Sequence, residues 1–138
     1  MQWEKVVVED QLMKKSLKIT LIEYLTTKRI KMAKTSPTQR TLARLKSEDY
    51  DLVAITERWN PFAKIRQDLY GIIDILAIKD KDTIALQVTS YSNIGARVKK
   101  ITESPALPFL RAAGWTILVE GWKKEKNGRY TSRIVDLS

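Results

Sequence analysis

The chain has 138 residues, 43% of them hydrophobic, with 25 Lys or Arg against 16 Asp or Glu and a formal net charge of +9. That length suits about one domain with a core of its own. The absence of both cysteine and histidine excludes disulfides, zinc fingers, thiol nucleophiles, haem ligation by His and an imidazole general base, leaving carboxylates, amides, hydroxyls, lysines and an oxygen-loving cation such as magnesium or manganese.

The positive charge recurs in short clusters, at Lys14-Lys15, Lys28-Arg29-Lys31, Arg97-Lys99-Lys100 and Lys123-Lys124. Such spacing favours a polyanionic partner, DNA or RNA, over charge kept for solubility alone. No apolar run approaches the roughly 18 residues of a membrane span, and the N-terminus lacks a signal-peptide layout and any lipidation signal. A soluble, cytoplasmic protein without a membrane partner is the expectation.

Over residues 1–34, Leu17, Leu21, Tyr24 and Leu25 share one helical face, although "LKITLIEYL" also alternates as a strand would. Helix is favoured. "MAKTSP" from Met32 reads as a fresh beginning, which makes the segment before it an appendage or a translated upstream stretch. A helical extension over residues 1–34, serving as an oligomerisation element in a homodimer, is expected.

From Ser36, "SPTQ" supplies a capping serine, a proline at the first helical position and a glutamine at the third, a capping box that opens a helix to about Ser47 with Leu42 and Leu45 toward the core. "DLVAITERW" reads as a strand. "NPFAKIRQDLYG" reads as a long loop, and the stretch around it mixes Arg58, Lys64 and Arg66 with Trp59, Phe62 and Tyr70. That mixture suits phosphate contacts and base stacking, or a loop that covers the core with buried aromatics.

Strands follow at 72–79 and 83–89, joined by the polar turn "KDKD". Ser92 or Asn93 caps a basic helix, "IGARVKKITE", and "SPALPFLRAAG" forms a shorter one ending at Gly114. "WTILVEGW" is an apolar strand with Trp115 and Trp122 in the core or at its edge, and an Asn-Gly turn leads to a final strand, "YTSRIVDL". The order α-β-β-β-α-α-β-β predicts an α/β fold with a central mixed sheet of four to five strands flanked by helices.

Asp74 stands alone in the apolar run "GIIDILAI". A buried carboxylate is costly unless it is paired, hydrogen-bonded or bound to a cation. It is therefore either a metal ligand or a structural aspartate satisfied by backbone amides or by Arg66. Gln87 and Thr89, two apart on the next strand, point to one side while Leu86 and Val88 point to the other. They are partners for Asp74 or ordinary polar strand residues.

This order, with "ERWNPFAKIRQDLYGIIDILAI", "LQVTS" and "ARVKKI", resembles the PD-(D/E)XK nuclease superfamily, which includes restriction endonucleases, archaeal Holliday junction resolvases and VRR-NUC domains. It is most similar to small phage-encoded members, over residues 36 to about 136. The resemblance implies a restriction-endonuclease-like core over residues 35–138. It also implies a magnesium- or manganese-dependent endonuclease acting on DNA, on branched or flapped structures in phage recombination or DNA processing, within the bacterial host cytoplasm.

By the same resemblance, the metal-binding aspartate falls on Asp74, and the glutamate and lysine of the E-x-K element fall on Gln87 and Thr89, with the Val88 carbonyl as a further ligand. Glu57, Asp68 or Glu120 are candidates for the missing carboxylate, and Lys64, Arg66, Arg97 or Lys99 for the missing cation. Arg58, Lys64, Arg66, Arg97, Lys99 and Lys100 are the candidate nucleic-acid contacts. Gln39, where some relatives carry a helix glutamate, reads as a capping residue. Two other functions stay open: a catalytically inactive DNA-binding module on the same fold, and a basic domain that binds an acidic protein.

Overall fold

The computed structural model describes residues 35–138. The helix expected over residues 1–34, and its role in a homodimer, lie outside the described residues. The first element, α1 (Pro37–Ser47), opens on the capping box: Ser36 Oγ accepts the Gln39 N–H and Gln39 Oε1 accepts the Ser36 N–H, both at 3.2 Å. Gln39 is therefore a capping residue. Leu45 is fully buried and Leu42 packs beside it, so one face of α1 covers the sheet.

Six elements of a mixed sheet and its crossover follow: β1 (Leu52–Ile55), β4 (Ile75–Lys79), β5 (Asp82–Ser90), α2 (Ile94–Thr102), α3 (Leu107–Ala112) and β6 (Thr116–Lys124), closed by β7 (Tyr130–Asp136). Between β1 and β4 lie β2 (Arg58–Asn60) and β3 (Ile65–Gln67), which pair only with each other. The sheet order is β1-β4-β5-β6-β7, with β5 and β6 parallel and every other neighbour antiparallel. A parallel pair needs a crossover, which α2 and α3 supply. The result is the expected α/β architecture with a central mixed sheet between helices.

Alternation along β5 divides the core. Leu86 and Val88 face α1 with Leu45, Ile75 and Ala77. Ala85 faces α2 and α3 with Ile94, Ile101, Leu107, Leu110, Ile117 and Val119, and Gln87 and Thr89 share its side of the strand. Gly121 of β6, in register with Thr89, lets α2 approach: a Cβ there would fall 2.4 Å from Ile94 Cγ1 and 3.0 Å from the Ser90 carbonyl oxygen. The first turn of α2 thus rests directly on the sheet. Trp115 packs at the edge of one core cluster and Trp122 at the edge of the other.

Three local expectations are corrected. "DLVAITERW" is not one strand, because the Thr56 N–H and hydroxyl bind the carbonyls of Asp74 and Ile73 at 2.7 and 2.8 Å, and the chain then leaves the sheet. The stretch read as a loop contains β3, and its aromatics are not buried. Finally, β4 begins at Ile75 rather than at 72, since a turn through Gly71 (φ +76) folds Ile72 and Ile73 back onto the Leu69 carbonyl. Among the described residues no helix is long and apolar enough to cross a membrane.

Candidate metal centre

Asp74 sits immediately before β4. Ile75 is the register partner of Leu86, yet the Asp74 N–H also donates to the Leu86 carbonyl at 2.8 Å. Two residues against one is the form of a β-bulge, a device that re-aims a side chain at the end of a ladder. Here Asp74 Oδ2 accepts the Val88 N–H at 2.9 Å, on the side where the β4–β5 register has ended at Leu86; on its other side Val88 pairs with Glu120 of β6.

Asp74 is 7% exposed. Burial pushes its pKa up to about 7; the Val88 amide opposes that shift, the adjacent Asp68 carboxyl adds to it, and the Gln87 amide works against it. Asp68 and Asp74 line the same cavity. Gln87, 2% exposed, donates from Nε2 to Asp68 Oδ2 at 3.4 Å. Its Oε1 is buried and finds no hydrogen-bond partner among the described residues. A buried acceptor without a donor is uncommon and costs about 1–3 kcal/mol.

These groups line a cavity of about 290 Å³ together with Glu57, Val88, Arg66, Arg97 and Lys100. In an extended strand the N–H and C=O of one residue point to the same edge, so the Val88 carbonyl faces the side on which Asp74 lies. Lys100 Nζ donates to Asp68 Oδ2 at 3.3 Å, and Arg97 Nε lies 3.5 Å from Thr89 Oγ1. Arg97 and Lys100 share a face of α2 because they stand three residues apart.

The structure therefore gathers Asp74, Gln87, Val88, Glu57, Asp68, Arg66, Arg97 and Lys100 at one end of β5. Thr89 lies outside the cavity lining, under Arg97. Lys99 points elsewhere and pairs with Glu103 at 3.8 Å. Arg58 lines a neighbouring cavity of about 750 Å³, and Lys64 occupies the turn between β2 and β3. Arg66 pairs with Glu57 at 3.6 Å rather than with Asp74.

Glu120 is a correction. Fully buried, it accepts from Arg44 Nε at 2.9 Å, Thr41 Oγ1 at 2.9 Å and Ser132 Oγ at 2.8 Å. It belongs to the α1 side of the sheet, as do its neighbours Leu118 and Trp122, and strand alternation keeps it from the face that carries Gln87. It cannot serve as the missing carboxylate. Lys100 is a further cation at the site, and its sequence signal is its spacing of three residues from Arg97 on the basic helix.

Among the described residues no group of three or more acidic side chains is arranged to hold a metal ion. The oxygens gathered at the cavity are the Asp74, Asp68 and Glu57 carboxyls and the Val88 carbonyl, with the unpartnered Gln87 amide oxygen buried among its lining residues. Two neighbouring carboxyls repel when both ionise, and Gln87 Oε1 is an acceptor open to a hydrogen-bond donor or a cation. Both features fit a hard divalent cation such as magnesium or manganese. No family model, curated protein or solved structure matches the chain.

Proposed function

We propose that this chain is a metal-dependent endonuclease that hydrolyses phosphodiester bonds in DNA, with a restriction-endonuclease-like core of the PD-(D/E)XK type over Thr35–Ser138. The observation that carries the reading is the buried, unpartnered Gln87 Oε1 beside the Asp74 and Asp68 carboxyls, in a cavity that Arg66, Arg97 and Lys100 also line. Asp74, Asp68 and Gln87, with the Val88 carbonyl, would hold magnesium or manganese. Such an ion supplies Lewis acidity toward a phosphoryl oxygen and a lowered pKa for water, chemistry that a chain without histidine otherwise lacks.

The chain's own part is positioning and charge. Arg97 and Lys100 present two cations from one helix face to the non-bridging oxygens of a phosphate. Gln87 contributes a neutral ligand where a carboxylate would contribute charge, so Asp68 supplies the second negative group. Glu57 is held in reserve by Arg66. Burial of Asp74 keeps bulk water from competing for its oxygens.

A second reading, a DNA-binding module without turnover, has one observation in its favour. Lys100 Nζ and Gln87 Nε2 already donate to Asp68, so the acidic pair is partly compensated by the protein itself. The deciding experiment incubates the protein with fluorescent linear, flapped and four-way-junction DNA in magnesium, manganese or EDTA, beside Asp74→Ala. Cleavage that requires both the metal and Asp74 supports the nuclease. Binding without cleavage under every condition, weakened by salt and indifferent to magnesium, supports the module instead.

A further inference from the structure

Outside the main sheet, residues 58–67 form a two-stranded ribbon, with Arg58 opposite Gln67, Trp59 opposite Arg66 and Asn60 opposite Ile65. Its tip is well built. Asn60 Oδ1 accepts the N–H groups of Phe62 and Ala63 at 2.9 and 3.1 Å, its carbonyl accepts the Lys64 N–H at 2.7 Å, and its Nδ2 donates to Gln67 Oε1 at 3.1 Å. One asparagine thus fixes the turn from four sides.

What this turn presents is unusual for a protein surface. Phe62 is 96% exposed and Trp59 is 56% exposed, although neither ring contributes to the core clusters. Large aromatics left in water on a rigid support mark a recognition surface. The ribbon carries Arg58, Lys64 and Arg66 and contains no acidic residue. Rings interleaved with cations complement a strand that offers both flat bases and phosphates.

The ribbon also adjoins the candidate metal centre. Arg58, Arg66 and Gln67 line the 750 Å³ cavity, and Arg66, Asp68 and Lys100 are shared between it and the smaller cavity that holds Asp74. A chain of nucleotides lying against the ribbon would therefore run toward the carboxyls. Intact duplex keeps its bases stacked inside and offers no free faces to Trp59 and Phe62. Unpaired nucleotides do.

We propose that the 58–67 ribbon is a stacking platform for unpaired nucleobases, with Trp59 and Phe62 holding base faces and Arg66, the cross-strand partner of Trp59, holding the phosphates, so that the substrates are nucleic acids with single-stranded segments beside duplex. The proposal names the substrate class of the nuclease proposed above, and rests on that reading only for the position of the cut. Base binding itself requires neither metal nor turnover. The charge on the ribbon and its continuity with the cationic cavity favour a nucleic acid over a second copy of the chain.

The test is a binding measurement in EDTA on the full chain. Fluorescence anisotropy would compare a single-stranded oligonucleotide, a duplex with a single-stranded overhang and a blunt duplex, for wild type, Phe62→Ala, Trp59→Ala and Trp59→Phe. Circular dichroism checks that each variant is folded. Wild type should bind the overhang at least about tenfold more tightly than the blunt duplex, since one base–aromatic stack is worth roughly 5- to 150-fold in affinity. Each alanine variant should lose most of that preference while keeping its affinity for blunt duplex, and Trp59→Phe should retain it. A 2-aminopurine in the overhang should be quenched by wild type, less by Phe62→Ala, and least when Trp59→Ala is combined with it.

Equal affinity for overhang and blunt duplex would overturn the proposal, as would alanine variants that bind the overhang like wild type. A wild-type dimer that Phe62→Ala dissociates, with DNA binding unchanged, would assign the ribbon to self-association instead. Preference for unpaired bases without cleavage in magnesium or manganese would leave the platform standing and remove only the nuclease.

Discussion

Asp74 Oδ2 receives the Val88 N–H at 2.9 Å while the Asp74 N–H binds the Leu86 carbonyl at 2.8 Å, so one residue closes the end of β5 with both its backbone and its side chain. The two roles can be separated. Asp74→Asn retains an oxygen to accept from Val88 and loses the negative charge. The variant should fold with a melting temperature at or above that of wild type near neutral pH, because a buried charge has been removed. Cleavage should fall by about 100-fold or more, beyond the effect typical of outer-shell positions. Cleavage within a few-fold of wild type would remove Asp74 from the metal site.

The proton on Asp74 gives a second prediction. Its folded pKa is pushed up to about 7, against an ordinary value of 3.8, chiefly by burial. The folded state therefore holds a proton that the unfolded chain has released. This contribution to stability is complete below the unfolded value and is lost as pH rises toward and through the folded one. A divalent cation competes with that proton. Thermal unfolding should show magnesium or manganese raising Tm little near about pH 6 and more near about pH 8, with the increment absent in Asp74→Asn. A metal effect equal at both pH values, or equal in the variant, would place the binding elsewhere.

Lys99 and Lys100 adjoin in sequence and differ in surroundings: Lys100 reaches Asp68 at 3.3 Å, while Lys99 pairs with Glu103 at the surface. Lys100→Ala should lower the single-turnover cleavage rate by about tenfold or more, whereas Lys99→Ala should change it by less than about twofold. The same Lys100→Ala change frees Asp68 from its cation, so metal affinity should hold or rise while cleavage falls. Equal effects of the two lysines would mean that both act only as diffuse charge for DNA binding.

Much of the fold was readable because its signals are local. The Ser36–Gln39 box, the Asn127-Gly128 turn and the alternation in β5 depend on residues close in sequence. The ribbon escaped because its turn uses an asparagine side chain and Lys64 at positive φ rather than a glycine, and because Trp59 and Phe62 look the same in sequence whether buried or exposed. Ile72 and Ile73 are apolar enough to read as strand, yet hydrogen bonds to the Leu69 carbonyl turn them back, so the sequence alone places the start of β4 too early. At the candidate site, strand parity correctly grouped Gln87 with Thr89. It could not say that Asp68 and Lys100, 32 residues apart, would meet.

Glu120 shows the same limit from the other side, since its charge is answered by Arg44 on α1, 76 residues away in the chain. Glu120 is 0% exposed, and the Thr41 and Ser132 hydroxyls that also bind it carry no charge. Thr41 in turn accepts from Trp122 Nε1 at 2.9 Å, so the network joins α1, β6 and β7. Removing one partner of a buried pair leaves the other charge stranded. Arg44→Ala should therefore cost about 3 kcal/mol in urea unfolding, and Arg44→Met combined with Glu120→Leu should recover most of that loss. Because this network lies on the α1 face of the sheet, both proteins should bind DNA as wild type does under conditions where they are folded. A cost below about 1 kcal/mol for Arg44→Ala would mean that water reaches Glu120, and a specific loss of DNA binding would return this carboxylate to the list of site residues.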